Sequence, residues 1–259
     1  MGIIYCGKQN SNKYYIKEAD ISISSIQELA YFIYNFAILI SNSFITKNLI
    51  VYIDKSLGLT KLSSDLNEMF NRKENLVNML THILLNSNYY DREEVGEFRK
   101  KLIELLSLPE EEYVKRAGDM LFGLKKYEKA ISQYNKIMKT NDKALQNLAF
   151  CYAKLQFYEQ AADYIGELYK RTRNIEVLRE AYYALKLAGN VDKIYEYEKN
   201  ISEELLADWE YEIVSRIIKT RRSDELKNIE EIFLLGHDYI KENISNRIKI
   251  WKEKYRYIG

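Results

Sequence analysis

Ala117-Gly118-Asp119-Met120-Leu121, followed by Tyr127, Ala130, Tyr134 and Ile137, sets a pattern that returns twice. Leu148-Ala149-Phe150-Cys151-Tyr152 leads on to Tyr158, Ala161, Ile165 and Leu168, and Ala181-Tyr182 to Leu185, Val191, Ile194 and Ile201. Ala130 and Ala161 are 31 residues apart and Ala161 and Ile194 are 33 apart, close to the ~34-residue period of a two-helix repeat. The spacing predicts paired helices over 109–124 and 127–139, 142–155 and 158–171, and 174–188 and 191–201. Lys125-Lys126, Gln156-Phe157 and Gly189-Asn190 form the turns inside the pairs. Small residues at 130 and 161 fall where paired helices approach closely, and Leu121, Tyr152 and Leu185 fill the space between them. A fourth pair, 205–220 and 223–236, keeps the period without the small residues, as expected where a repeat has only one neighbour.

Composition agrees with an almost entirely helical chain. One proline and ten glycines in 259 residues leave too little turn chemistry for a sandwich or barrel, which needs a turn every ~8–12 residues. Upstream of the repeats, Ser25-Ile26-Gln27-Glu28 has the form of a capping box. Ser25 would accept from the amide of residue 28 while Glu28 returns to the N-cap amide. The stripe Ile26, Leu29, Ala30, Ile33, Ala37 and Ile40 predicts a buried helix from Ile26 to about 40. Further helices are expected at about 46–57, ended by Gly58, and at 61–72, 74–87 and 91–107. Ile3-Ile4-Tyr5 and Tyr14-Tyr15-Ile16 flank a turn-like Gly7–Asn12 and allow a short hairpin within residues 1–24. Pro109 with Glu110, Glu111 and Glu112 suits the first turn of a new helix. This divides the chain into a helical region, 1–107, and a repeat region, 108–259, sharing one core.

The register resembles the tetratricopeptide repeat from about Glu110 to Ile201, with a weaker extension to about Gly236. Gly118 matches the small position of a first helix, Ala130 and Ala161 those of second helices, and Tyr127 and Tyr158 the openings of second helices. The chain departs from the pattern where Ala149 and Tyr182 replace the glycine, where Ile194 replaces an alanine, and where the proline between repeats is missing. An unrelated bundle of amphipathic hairpins fits the same spacing. The resemblance implies an α-solenoid that binds other proteins, with a segment of the partner held along the concave face made by the first helices. That face would carry Glu112, Lys115, Asp119 and Phe122, then Lys143, Gln146, Asn147, Phe150 and Lys154, then Glu176, Arg179, Glu180, Tyr183 and Lys186. Aromatic anchors between charges of both signs suit a peptide or protein segment. Phe122, Phe150 and Tyr183 fit equally well as packing against the next repeat. Some members of the family clamp a C-terminal carboxylate. Lys115 and Asn147 occupy two of those places, but the acids Asp119, Glu176 and Glu180 fill the others and would repel it.

Chemistry is not indicated, and neither cofactor nor metal is expected. The sequence lacks a phosphate-binding glycine loop, a paired-histidine metal motif, Cys-x-x-Cys and a Gly-x-Ser-x-Gly elbow. His82 lies in an apolar helical stretch and reads as structural, and His237 follows Gly236 as a helix C-cap. Cys151 reads as a small buried hydrophobe. Two cysteines make no disulfide framework, the polar stretch from Lys8 is unlike a secretory leader, and the apolar run 29–40 is too short to span a membrane. A cytoplasmic protein is expected. Thirty-nine basic against 38 acidic residues argue against a nucleic-acid surface. A DNA-binding regulator is the second reading, because Ser25–Ala30 resembles the opening of a helix-turn-helix. Tyr31–Phe36, with no glycine and no basic excess, speaks against it. At the C-terminus, Ile240, Ile244, Ile248, Trp251 and Tyr255 fall at helical spacing among basic residues and are expected to cap the last repeat.

Overall fold

The structure, a computed structural model, describes residues 12–199 and 201–221, together with Asn246, Ile248 and Lys249. Its chain divides into two compact units, one reaching Ala184 and one beginning at Leu185. Among the described residues it is mostly helical, with a single two-stranded sheet.

The sheet is a hairpin of β1 (Tyr14–Ile16) and β2 (Ile21–Ile23), with Tyr14 opposite Ile23 and Ile16 opposite Ile21. Tyr14–Ile16 was expected to pair with Ile3–Tyr5, which lies outside the described residues. Its partner here is local. Asp20 takes a left-handed φ of 56° in the turn and its Oδ1 accepts from the Tyr15 hydroxyl at 2.7 Å. Strand alternation then puts Ile16 and Ile23 into the core.

Helix α1 (Ile26–Asn35) starts at the expected residue, with the Ser25 hydroxyl accepting from the Glu28 amide at 3.1 Å. The Glu28 carboxylate does not close the box onto Ser25. It accepts from the amide of Ser24 and from the Ser24 hydroxyl, because both residues are buried at the junction with β2, where the carboxylate must collect donors. The helix also ends earlier than expected. Phe36 leaves helical geometry at φ −122° and ψ 29°, and the chain continues as a 3-10 turn over Ala37–Leu39. Ala37, Ile38, Leu39 and Ile40 are all buried, so the apolar run crosses the core as two short pieces. Phe32 ties them to the next segment by stacking on Phe44 at 5.9 Å.

Four helices follow: α2 (Lys47–Lys55), α3 (Thr60–Asn71), α4 (Leu76–Asn86) and α5 (Arg92–Leu106). Gly58 at φ +71° sits in the break after α2. Asp91 and Glu94 form a complete capping box at the start of α5. Neighbouring helices pack, α2 on α3, α3 on α4 and α4 on α5, while α1 reaches across to α4. His82 of α4 meets Asp65 of α3, with Nε2 to Oδ2 at 3.3 Å.

Then come the hairpins, α6 (Glu110–Gly123) with α7 (Tyr127–Ile137) and α8 (Asp142–Lys154) with α9 (Tyr158–Thr172), each member packed along its mate. They are followed by α10 (Ile175–Ala188), α11 (Val191–Glu198) and α12 (Glu203–Arg221). The three turns share one geometry. Lys125, Gln156 and Gly189 adopt positive φ of 60°, 66° and 71°. The next residue donates back five positions in each: Lys126 to Leu121 at 2.8 Å, Phe157 to Tyr152 at 2.9 Å and Asn190 to Leu185 at 3.4 Å. These turns stand 31 and 33 residues apart, the same intervals as Ala130, Ala161 and Ile194. Ala130 and Ala161 have no exposed surface.

Within the first unit one hydrophobic core runs from Ile16 to Cys151, through the N-terminal helices and into α6, α7 and α8. Polar ties cross the same boundary. The Tyr113 hydroxyl donates to the Ile40 carbonyl at 3.3 Å, and the Lys126 ammonium reaches both the carbonyl and the carboxylate of Asp20 at 3.0 Å. In the second unit Ile194, Ile201 and Trp209 are buried. The anticipated helix 223–236, His237 and the amphipathic segment 240–256 lie outside the described residues, except that Ile248 is helical and exposed.

Candidate functional site

Asp119, on the second turn from the end of α6, organises the first-helix face. Its Oδ2 meets the Lys115 ammonium at 2.6 Å, one turn earlier on the same helix. Its Oδ1 accepts from the Tyr134 hydroxyl of α7 at 2.8 Å and from the Asn147 amide of α8 at 2.9 Å. One carboxylate thereby joins three helices.

The ring of Tyr134 is wholly buried, and Gly118 is what admits it. A Cβ at position 118 would stand 2.6 Å from Tyr134 Cε1 and 2.9 Å from Cδ1. Burial, followed by the hydrogen bond to the Asp119 carboxylate, holds the Tyr134 hydroxyl well above the usual phenol range. It therefore stays protonated and donates.

The next step along the face repeats the device one helix further. Gln146 of α8 donates to the Glu180 carboxylate of α10, at 3.1 Å to Oε2. Asn147 and Glu180 hold equivalent places in successive repeats, 33 residues apart, and each binds the first helix of the repeat before it. At the opposite end of the hairpins, Glu111 accepts from Asn141 at 2.9 Å and from Thr140 at 3.0 Å. Arg171 of α9 donates to the Met138 carbonyl at 3.0 Å and pairs with Asp142. Adjacent hairpins are thus fastened at both ends.

Of the residues singled out from the sequence, Lys115, Asp119 and Asn147 are bonded in one group and Gln146 and Glu180 in another. Phe122 is half-buried and meets Tyr127 edge-on at 5.4 Å within its own hairpin. Phe150 and Tyr183 are half-buried, and Lys143 and Lys154 are exposed. Arg179 pairs with Glu176 on the same helix. Lys186 falls in the second unit, where its ammonium meets Glu210 at 2.6 Å and Glu198 at 3.9 Å. Sequence reading placed Tyr134 in the repeat pattern and gave it no polar role. The signal lay in Gly118-Asp119, where a gap for a ring stands next to an acceptor for its hydroxyl. Arg171 was not singled out, and no spacing marks it.

Cys151 is buried within α8, and desolvation pushes its thiol up to about 12. Among the described residues no group of three or more His, Cys, Asp or Glu is placed to hold a metal ion. No described helix is long and apolar enough to cross a membrane. No protein-family model, curated protein or solved structure matches this chain.

Proposed function

We propose that this chain is a protein-interaction scaffold of the tetratricopeptide type, binding a segment of its partner along the face made by α6, α8 and α10. The observation that carries the reading is the pair of side-chain bridges, Asn147 to Asp119 and Gln146 to Glu180, which aligns successive first helices side by side. The equal geometry of three turns at intervals of 31 and 33 residues supports a solenoid repeat. A face fastened by its own hydrogen bonds is already ordered before binding, which lowers the entropic cost of recognition.

The residues that bond one first helix to the next and those that meet the partner then have separate tasks. Lys115, Asp119, Gln146 and Asn147 fix the spacing of the helices. Lys143, Phe150, Lys154, Arg179 and Tyr183 meet the partner, with Phe122 at the margin. The partner is isolated by affinity purification of the full chain from its native source. Lys143→Ala, Phe150→Ala and Arg179→Ala together should then weaken the complex at least about tenfold, as loss of an aromatic anchor and two charges commonly does, while the melting temperature stays near wild type. Undiminished affinity would remove this face as the site.

A further inference from the structure

Beside the first-helix face, α6 borders a cleft of about 390 Å³, at the small end of the range that ligand sites occupy. Phe98, Leu102 and Leu105 of α5 line it opposite Met120 of α6. Tyr34 of α1 lines it too, stacked on Tyr90 at 4.2 Å and on Phe98 at 5.6 Å. The charged side chains lining it are Lys101 and Arg116, both cationic. Each has a glutamate one turn back on its own helix, Glu97 at 3.9 Å from Lys101 and Glu112 at 2.7 Å from Arg116. Such exposed pairs are worth ~0–1 kcal/mol, so they yield to an anion seated in the cleft. A second hollow, of about 340 Å³, shares Arg116 and Met120 and continues along α6 to Asp119. There the carboxylate is already occupied by Lys115, Tyr134 and Asn147.

We propose that the cleft is an anchor site for a large apolar side chain with a carboxylate beside it, supplied by the protein segment that lies along the first-helix face. The source of that group rests on the function proposed above; the chemistry of the cleft does not. An apolar wall takes the side chain, two cations at the rim take the anion, and the continuation along α6 takes the rest of the segment.

The test uses the full chain with methionine methyl groups labelled with ¹³C, and Met120 assigned by Met120→Leu. N-acetyl-phenylalaninate should shift the Met120 methyl resonance with an affinity at least about threefold tighter than that of its neutral amide, the size of one exposed ion pair. Lys101→Gln with Arg116→Gln, at side chains half-exposed or more, should erase the difference and leave the fold intact. A Met120 signal unmoved at ~10 mM of either probe, or moved equally by both, overturns the proposal. Binding of the probe in a protein whose partner ignores the Phe150 substitution would retain the cleft and remove the groove. A partner lost with Phe150 while Met120 stays silent would remove the cleft alone.

Discussion

Gly96 and Gly118 sit in consecutive helices, α5 and α6, and only the second has a neighbour. A Cβ on Gly96 would meet nothing within 4 Å, while one on Gly118 would press into Tyr134 at 2.6 Å. The contrast extends to the regions they belong to. Before Leu108, large side chains such as Phe32, Leu49, Leu66, Leu80 and Ile83 fill a shared interior. One connection there, between α3 and α4, has the geometry of the later turns, with Lys73 at φ 55° and Glu74 donating back to Met69 at 2.9 Å, but it does not recur at a fixed interval. After it, Gly118 on one helix answers Tyr134 on its mate, the turn geometry returns at intervals of 31 and 33 residues, and polar bridges join one first helix to the next. The first arrangement depends on total apolar volume, which tolerates substitution. The second depends on particular positions.

The largest expected effect separates these directly. In an exposed helix Gly→Ala gains up to about 1 kcal/mol. Gly118→Ala should instead lose roughly 1–3 kcal/mol by overpacking against Tyr134, whereas Gly96→Ala should gain about 0.5–1 kcal/mol. Urea unfolding of both variants checks the pair. Equal signs would dissolve the distinction between the two regions.

Asp119→Ala comes next, with a loss of about 1–2 kcal/mol. It strands the Tyr134 hydroxyl and releases Lys115 and Asn147, and its half-exposed position keeps the figure at the lower end of the charged range. Calorimetry would read it. A melting temperature unchanged by Asp119→Ala would mean that the bridges do not hold the hairpins.

The buried thiol gives the comparison a pH dependence. Its folded pKa, about 12, lies above the unfolded value of ~8.5. The stabilisation is therefore fully present below about pH 8.5 and is lost as pH rises toward 12, with a slope approaching ~1.4 kcal/mol per pH unit from this one proton. Between pH 8 and 10 the urea midpoint should fall in the parent and fall less in Cys151→Ala. Tyr134, raised in the same direction, adds its own loss only above about pH 10. Equal slopes in parent and variant would mean that the α8 interior admits water.

The smallest effect belongs to the turns. Lys125 and Gln156 hold left-handed backbone at a position where the third turn has Gly189. Such conformations cost a side-chain-bearing residue about 1 kcal/mol. Lys125→Gly and Gln156→Gly should each gain a few tenths to about 1 kcal/mol, less whatever the freed unfolded chain takes back. A loss at both sites would show that the turns are not equivalent.

The same contrast explains what could be read in advance. Caps and turn residues act within a few positions, so Ser25 marked the start of α1, Gly58 the break after α2, and Gly189-Asn190 the turn before α11. Periodicity made the hairpins α6–α7 and α8–α9 legible, and helix bounds as far as α11. Where a boundary depends on distant packing, the sequence was silent. Phe36 stops α1 because the following apolar residues are needed elsewhere in the core, and Glu28 turns to Ser24 because burial moved its donors. The first-helix face was legible as a set of positions. Which members bond to each other depended on Asn147 and Gln146 reaching separate neighbours, and spacing along one helix does not encode that choice.

The surface proposed to meet a partner is the exposed side of α6, α8 and α10. A photo-crosslinking amino acid placed at Lys143, on α8, addresses this most directly, with Lys170 on α9 as the matched exposed position on a second helix. In cells of the native source, the protein labelled at 143 should join covalently to the partner recovered by affinity purification, and the protein labelled at 170 should not. Adducts that form at 170 and not at 143, or equally at both, would contradict the account.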